Sequence, residues 1–264
     1  MLDERVSDDG MAQLQGDGFS SALSAICTDW PDAPVVACGM VGARQGWMEA
    51  PYDMAPCAPP GVARAVRPAG TRVAILPGVA QASPADVMRG EETQIAGLLA
   101  ARPQFDGVVC LPGTHTKWVH VSAGEIVSFQ TFMSGEIFAL LAGQSVLRHS
   151  VAETGWNADA FETALGDALS RPAAVSAHLF SLRAQSLLGP SDGAAARARL
   201  SGLLIGLELG ATRPYWLGQE VVVIGAPEIS DIYQSALALQ GVQALQADAG
   251  ATVRAGLWAA RNGS

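Results

Sequence analysis

The stretch "LPGTHTKWV", Leu111 to Val119, puts Gly113, Thr114, His115, Thr116 and Lys117 into a turn between two apolar runs. A turn glycine lets an anion approach the backbone, and successive N–H groups there can form an anion nest. Hydroxyls from Thr114 and Thr116 and the charge of Lys117 would complete a cradle for phosphate. A plain two-residue hairpin needs none of these groups. Taken alone, a polar turn with a solvated lysine accounts for the stretch equally well. His115 has no second histidine at metal-ligand spacing, so an exposed turn histidine is its plainer reading.

Three further stretches could bind or react. "MRGEETQIAG", Met88 to Gly97, sets Glu91 and Glu92 at a helix start, where the macrodipole favours carboxylates. Arg89 and Gly90 before them suggest a tight corner that tolerates an anion. Simple charge decoration of a helix start is the competing explanation. "ACGMVGARQGW", Ala37 to Trp47, empties a buried strand into a glycine-rich loop with Arg44, Gln45 and Trp47. Loops at strand ends often carry ligands. "VVVIGAPEIS", Val221 to Ser230, joins a buried strand to a helix through Gly225 and Ala226, small enough for a base or ribose to lie against the backbone. Taken alone, a plain strand-to-helix crossover is the better explanation. Neither G-x-x-x-x-G-K-[ST] nor G-x-G-x-x-G after a strand occurs in the chain.

These residues need a frame to hold them. Period and punctuation predict a helix over "FSSALSAICTDW", buried strands at Val35–Cys38 and over "RVAILPGV" to Pro77, and a loop over "QASPADVMRG". "APYDMAPCAPPGVA" reads as irregular. "EETQIAGLLAARP" is a helix stopped by Pro103. "GVVCL", "TKWVHVS" and "EIVSFQTF" form a β-meander, with Gly124 turning the second strand into the third. "SGEIFALLAG" is a helix with Ser134 as N-cap. Residues 157–216 are mostly helical, with breaks at Arg171-Pro172 and Gly189-Pro190. "EVVVIGAP" is a buried strand, "SDIYQSALALQ" a helix capped by Ser230, "VQALQ" a short strand and "ATVRAGLWAARNG" a last helix. A domain boundary near Asp106 fits this order.

The chain has 264 residues, 49% hydrophobic and 16% charged, which suits one large or two modest folded domains. A net charge of −9 argues against nucleic acid or an anionic membrane as partner. No stretch is an uninterrupted membrane span; "LSGLLIGLELGATRPYW" is broken by Glu208 and Arg213. The acidic start "MLDERVSDDG" lacks the apolar region of a signal peptide. Cys27, Cys38, Cys57 and Cys110 show no C-x-x-C pairing and read as buried thiols in a reducing cytoplasm.

In this order, "GMVGARQGW", "MRGEETQIAG", "LPGTHTKWV", "TFMSGEIFALL", "LSGLLIGLELG" and "VVVIGAPEISDIYQSAL" resemble the 2-dehydro-3-deoxygalactonokinase family. These are bacterial sugar-acid kinases of the actin/hexokinase/Hsp70 superfold, a ribonuclease H-like architecture. The resemblance implies two α/β domains with mixed sheets flanked by helices: 1–106 for the sugar acid and 107–264 for the nucleotide. It implies ATP and Mg²⁺, with phosphate held by Gly113, Thr114, His115, Thr116 and Lys117, and adenosine held by Gly225 and Ala226. Glu91 falls at the catalytic-base position, where the wider sugar-kinase group has Asp. Gly42, Arg44 and Trp47 are the candidates for the sugar acid, with Arg44 meeting its carboxylate. No protein metal ligand is assigned. The partners implied are a small sugar acid and ATP, without nucleic acid or membrane. Self-assembly stays open.

One departure stands out. The family's opening strand, Asp-Trp-Gly-Thr/Ser turn and second strand have no counterpart here. The first hairpin of domain one is therefore expected to be absent, with reduced activity. A non-catalytic sugar-acid or nucleotide sensor on a kinase-like fold is the second reading. A dinucleotide enzyme using "VVVIGAP" is a third, and it leaves the other three stretches unexplained.

Overall fold

The computed structural model describes residues 3–10, 13, 14, 16, 18–190 and 192–263. Its residues gather into two units. One comprises Met1–Phe105, Ser122–Ser128 and Ala249–Ser264, and the other Asp106–Val121 and Phe129–Asp248.

The first unit begins with helix α1 (Gly18–Ile26) and strands β1 (Val35–Ala37), β2 (Tyr52–Met54), β3 (Val73–Ile75), β4 (Gly78–Ala82) and β5 (Ala85–Met88), followed by α2 (Glu91–Ala101). β1 runs parallel to β3, with Val35 opposite Val73 and Ala37 opposite Ile75. β2 runs parallel to β4, which folds back on antiparallel β5. The loop expected over "QASPADVMRG" is thus a hairpin. Ser83 and Pro84, which suggested a loop, fall in its two-residue turn, where proline removes no ladder bond. The proline-rich stretch expected to be irregular contributes β2. Ala50, Val73 and Ile75 are buried at the centre, with Val41 and Trp47 packed against them.

The chain then enters the second unit through the expected meander: β6 (Gly107–Leu111), β7 (Thr116–Ser122) and β8 (Glu125–Phe132). Ala123 and Gly124 both have positive φ, 51° and 80°, as a two-residue type I′ turn requires. Helices α3 (Ser134–Gly143), α4 (Ala158–Ser170), α5 (Val175–Leu188), α6 (Gly193–Ala211) and α7 (Arg213–Trp216) follow, then β9 (Val221–Gly225), α8 (Pro227–Ala238) and β10 (Leu245–Asp248). The mixed sheet has the order β10-β9-β6-β7-β8, with β9 parallel to both β10 and β6. Val108, Cys110, Trp118 and Val223 meet Ile205 and Leu209 of α6 and Tyr233 and Leu237 of α8 in its core. This is an α/β fold with mixed sheets flanked by helices.

The last helix, α9 (Ala249–Asn262), belongs to the first unit. A Cβ on Gly97 of α2 would lie 1.9 Å from the Thr252 carbonyl oxygen, and one on Gly256 of α9 would lie 1.8 Å from that of Thr93. Two backbones cross on paired glycines here, which draws residues 249–264 away from the 107–248 stretch they follow. Among the described residues no helix is long and apolar enough to cross a membrane. Of the four cysteines only Cys110 is fully buried; Cys27, Cys38 and Cys57 are half-buried. All four are free thiols, and burial pushes Cys38 and Cys57 up to about 11.

Candidate active site

In the second unit, the turn between β6 and β7 exposes Gly113, Thr114 and His115, whereas Thr116 and Lys117 are buried at the start of β7. The first turn of α3 docks on it. The Glu136 N–H donates to the Thr114 carbonyl at 2.9 Å, and His115 Nε2 lies 2.6 Å from the Glu136 carboxylate. A Cβ at Gly135 would sit 2.2 Å from the Gly113 carbonyl oxygen, so only glycine fits between helix and turn. A helix N-terminus beside an exposed turn favours an anion.

Ser134 was expected to cap α3. The cap position is Met133, without a side-chain cap bond. The Ser134 hydroxyl instead donates to Glu208 of α6. Glu208 is buried to 1% exposure. It also accepts from Trp118 Nε1 at 2.8 Å and from the Tyr233 hydroxyl at 3.0 Å. Tyr233 in turn lies 3.0 Å from Thr116 Oγ1. Burial pushes the Glu208 carboxyl above the usual carboxylate range, against the pull of these three donors.

Beside the turn lies a cavity of about 760 Å³, within the range of small-ligand sites. Gly113, Ser134 and Gly135 form one part of its wall, and Phe138, Trp156, Arg197, Ile229 and Ile232 contribute others. Arg197 lies over the Phe138 ring at 5.0 Å, and Trp156 tilts against Phe161 at 5.1 Å. Gly225 closes β9 against Pro112, 3.1 Å from where its Cβ would stand. Ala226 precedes α8, whose first turns supply Glu228, Ile229, Ile232 and Tyr233 to the cavity wall. Ser230 is not the cap expected of it, because α8 starts earlier, with Pro227 in its first turn. Its hydroxyl is buried without a partner.

In the first unit, residues 38–42 pack on the corner at residues 89–92. Gly90 has φ +111°, and a Cβ there would lie 3.3 Å from Gly39. Glu91 is half-buried and accepts the Arg89 N–H at 2.9 Å. Glu92 is buried to 1%, and both its oxygens accept the Gly90 N–H, at 2.9 and 2.7 Å. Burial raises the Glu92 carboxyl to about 7. The Arg89 guanidinium stacks over Tyr52 at 4.3 Å and donates from Nη2 to the Ala50 carbonyl at 2.8 Å. Its Nε and Nη1 are buried without partners, and a Cβ on Gly42 would lie 3.0 Å from Nη1.

The three sugar-acid candidates separate in this corner. Gly42 is buried against Arg89. Arg44 is 80% exposed and meets Glu49 at 3.4 Å. Trp47 stacks on Phe19, centroids 6.2 Å apart. Sequence reasoning missed Trp156, Arg197 and the buried role of Glu208. A single carboxylate inside the apolar run "LSGLLIGLELG" was the available signal for the last; the other two lie in helical or loop sequence without a pattern.

The site is an exposed turn clasped by a helix N-terminus in the wall of a ligand-sized cavity, on an α/β fold shared with a structure named as a small-molecule kinase. The chain matches the model of the 2-keto-3-deoxy-galactonokinase family over residues 1–260, and it belongs to that family. It is 41% identical to a protein of Rhizobium meliloti (strain 1021) provisionally named 2-dehydro-3-deoxygalactonokinase, over 98% of this chain and 89% of that one. It is 34% identical to the 2-dehydro-3-deoxygalactonokinase of Escherichia coli (strain K12), over 91% of this chain and 83% of that one. A crystal structure from Sinorhizobium meliloti, provisionally assigned the same name, is similar with a TM-score of 0.89 and 39% identity, covering 98% of this chain and 88% of that one.

Proposed function

We propose that the chain transfers the γ-phosphoryl group of ATP to the terminal hydroxyl of 2-dehydro-3-deoxy-D-galactonate. Family membership supports the reaction. The single structural observation behind it is the exposed 113–115 turn, clasped by α3, in the wall of a cavity of about 760 Å³. The sensor and dinucleotide readings draw no support from the relatives, which carry kinase names.

In this reading the fold is of the actin-like superfold, with 1–106 chiefly for the sugar acid and 107–248 for the nucleotide. The backbone of 113–115 and the Thr114 hydroxyl receive the phosphates, and His115 contacts them from its pair with Glu136. Buried Thr116 and Lys117 support the turn from behind, Lys117 adding positive charge. Adenosine occupies the cavity against α8, with Gly225 and Ala226 setting where that helix begins. Arg44 meets the substrate carboxylate. Its surface pairing with Glu49 is of a kind worth at most about 1 kcal/mol and so is readily exchanged. Gly42 and Trp47 shape the surface beneath the sugar acid.

Glu91 takes the proton of the attacking hydroxyl as its oxygen bonds to the γ-phosphorus. The bond from that phosphorus to the bridging oxygen breaks, and ADP leaves. Mg²⁺ would be carried by the phosphates and water, with Glu136, the carboxylate paired to His115 beside the turn, able to share it. When bound it neutralises phosphate charge. A reducing cytoplasm is the compartment in which free thiols and ATP coexist.

A coupled ADP-release assay with Mg-ATP tests the reading. ADP should form in proportion to added 2-dehydro-3-deoxygalactonate. Release that ignores the sugar acid would sink it.

A further inference from the structure

Glu208 is a costly residue to keep. A carboxylate buried to 1% inside α6 gives up its hydration, and a hydrophobic side chain would suit the surrounding "GLLIGLELG" better. It is held by three donors from three elements: Trp118 of β7, Ser134 of α3 and Tyr233 of α8. The proton order is constrained. With Glu208 ionised, Tyr233 gives it its one proton. The Thr116 hydroxyl, 3.0 Å from the Tyr233 oxygen, then donates to that oxygen. Thr116 therefore keeps no proton for phosphate.

The two arms of this network end on either side of the exposed turn. Ser134 leads into Gly135, whose backbone touches the Gly113 carbonyl. Thr116 follows His115 directly. We infer that Glu208 is a positioning residue for the phosphate turn: through Ser134 at one end and the Tyr233–Thr116 relay at the other, it fixes residues 113–115 in the shape that meets the nucleotide's phosphates. This rests on the nucleotide reading above. A turn held in advance loses less freedom when ligand arrives.

Glu208→Gln tests it, because the amide replaces one acceptor by a donor among three donors. The full-length chain is titrated calorimetrically with Mg-ADP and, separately, with adenosine, which has no phosphate. The variant should bind Mg-ADP about tenfold more weakly, the scale of one lost charge-assisted hydrogen bond, while adenosine affinity stays within about twofold. Thr116→Val keeps the shape of a buried residue outside the cavity wall and cuts the relay at its turn end. It should show the same selective loss, about threefold to tenfold, and it decides the matter if Glu208→Gln does not fold. Equal weakening of both ligands, or unchanged Mg-ADP affinity in Thr116→Val, overturns the inference alone. A native chain that binds neither ligand overturns the nucleotide reading and this inference with it.

Discussion

Glu91 and Glu92 are neighbours on α2 with different surroundings. Glu92 is sealed in and wraps back onto the Gly90 N–H, whereas Glu91 is half-buried. If Glu91 is the base, Glu91→Gln should lower kcat by about 10²–10⁴-fold with little change in ATP affinity. Steady-state kinetics decide it, and a mild Glu91→Gln would move the base elsewhere. Glu92 has a different signature. Its carboxyl titrates near 4.5 when unfolded and at about 7 when folded, so the folded state binds the extra proton. Its contribution to stability is fully present below about pH 4.5 and is lost as pH rises through 7. A gap of this size corresponds to roughly 3 kcal/mol. Urea unfolding at pH 5 and pH 8 should therefore show Glu92→Gln gaining on the native chain at the higher pH. An equal offset at both values would show that Glu92 is not held protonated. The pair was legible in the sequence as two carboxylates at a helix start. Which one is buried was not, because that depends on the positive φ at Gly90 and on the approach of Gly39.

At the scale of elements, the α3 docking and the α2–α9 crossing both depend on absent side chains. Gly135→Ala must push α3 or the turn apart, since its Cβ would stand 2.2 Å from the Gly113 carbonyl oxygen. The KM for ATP should rise at least several-fold, with a smaller proportional loss of thermal stability. A drop in melting temperature without a change in KM would separate α3 from phosphate binding. Gly97→Ala places its Cβ 1.9 Å from the Thr252 carbonyl oxygen. Overpacking typically costs 1–3 kcal/mol, and a backbone clash of this depth should cost about 3 kcal/mol or more by urea unfolding. The meander and most helices were readable from apolar periodicity and proline or glycine breaks. The β4–β5 hairpin was not, because Ser83 and Pro84 signal a loop whether or not strands flank it. The two serine caps were misread for a related reason. Ser134 and Ser230 have cap chemistry, but Ser134 answers to a carboxylate 74 residues away and Ser230 lies inside a helix begun by Pro227.

For the whole molecule, ligand linkage gives a global readout. A nucleotide that binds only the folded chain stabilises it by about 2.7 kcal/mol at 100 times Kd, so Mg-ADP should raise the melting temperature and adenosine should raise it less at equal concentration. No shift with either would count against a nucleotide site. The family and the order of its motifs were visible along nearly the entire sequence. The partition of the chain was not. A boundary near Asp106 follows from the order of the elements, but the return of residues 249–264 to the first unit depends on glycines 159 positions apart, Gly97 and Gly256. Local pattern cannot reveal a pairing over that distance.

That return sets a timetable for synthesis. The second unit has all its residues once Asp248 has been added, whereas the first lacks α9 until Ala249–Asn262 is made. At about 5–20 residues per second, α2 leaves the ribosome roughly 10–30 s before its partner helix is made. Throughout that interval Thr93 and Gly97 of α2, which are buried in the finished protein, have no α9 to cover them. The half of the chain translated first is therefore the half completed last, and a nascent chain stalled before Ala249 would present chaperones with a finished second unit and an unfinished first.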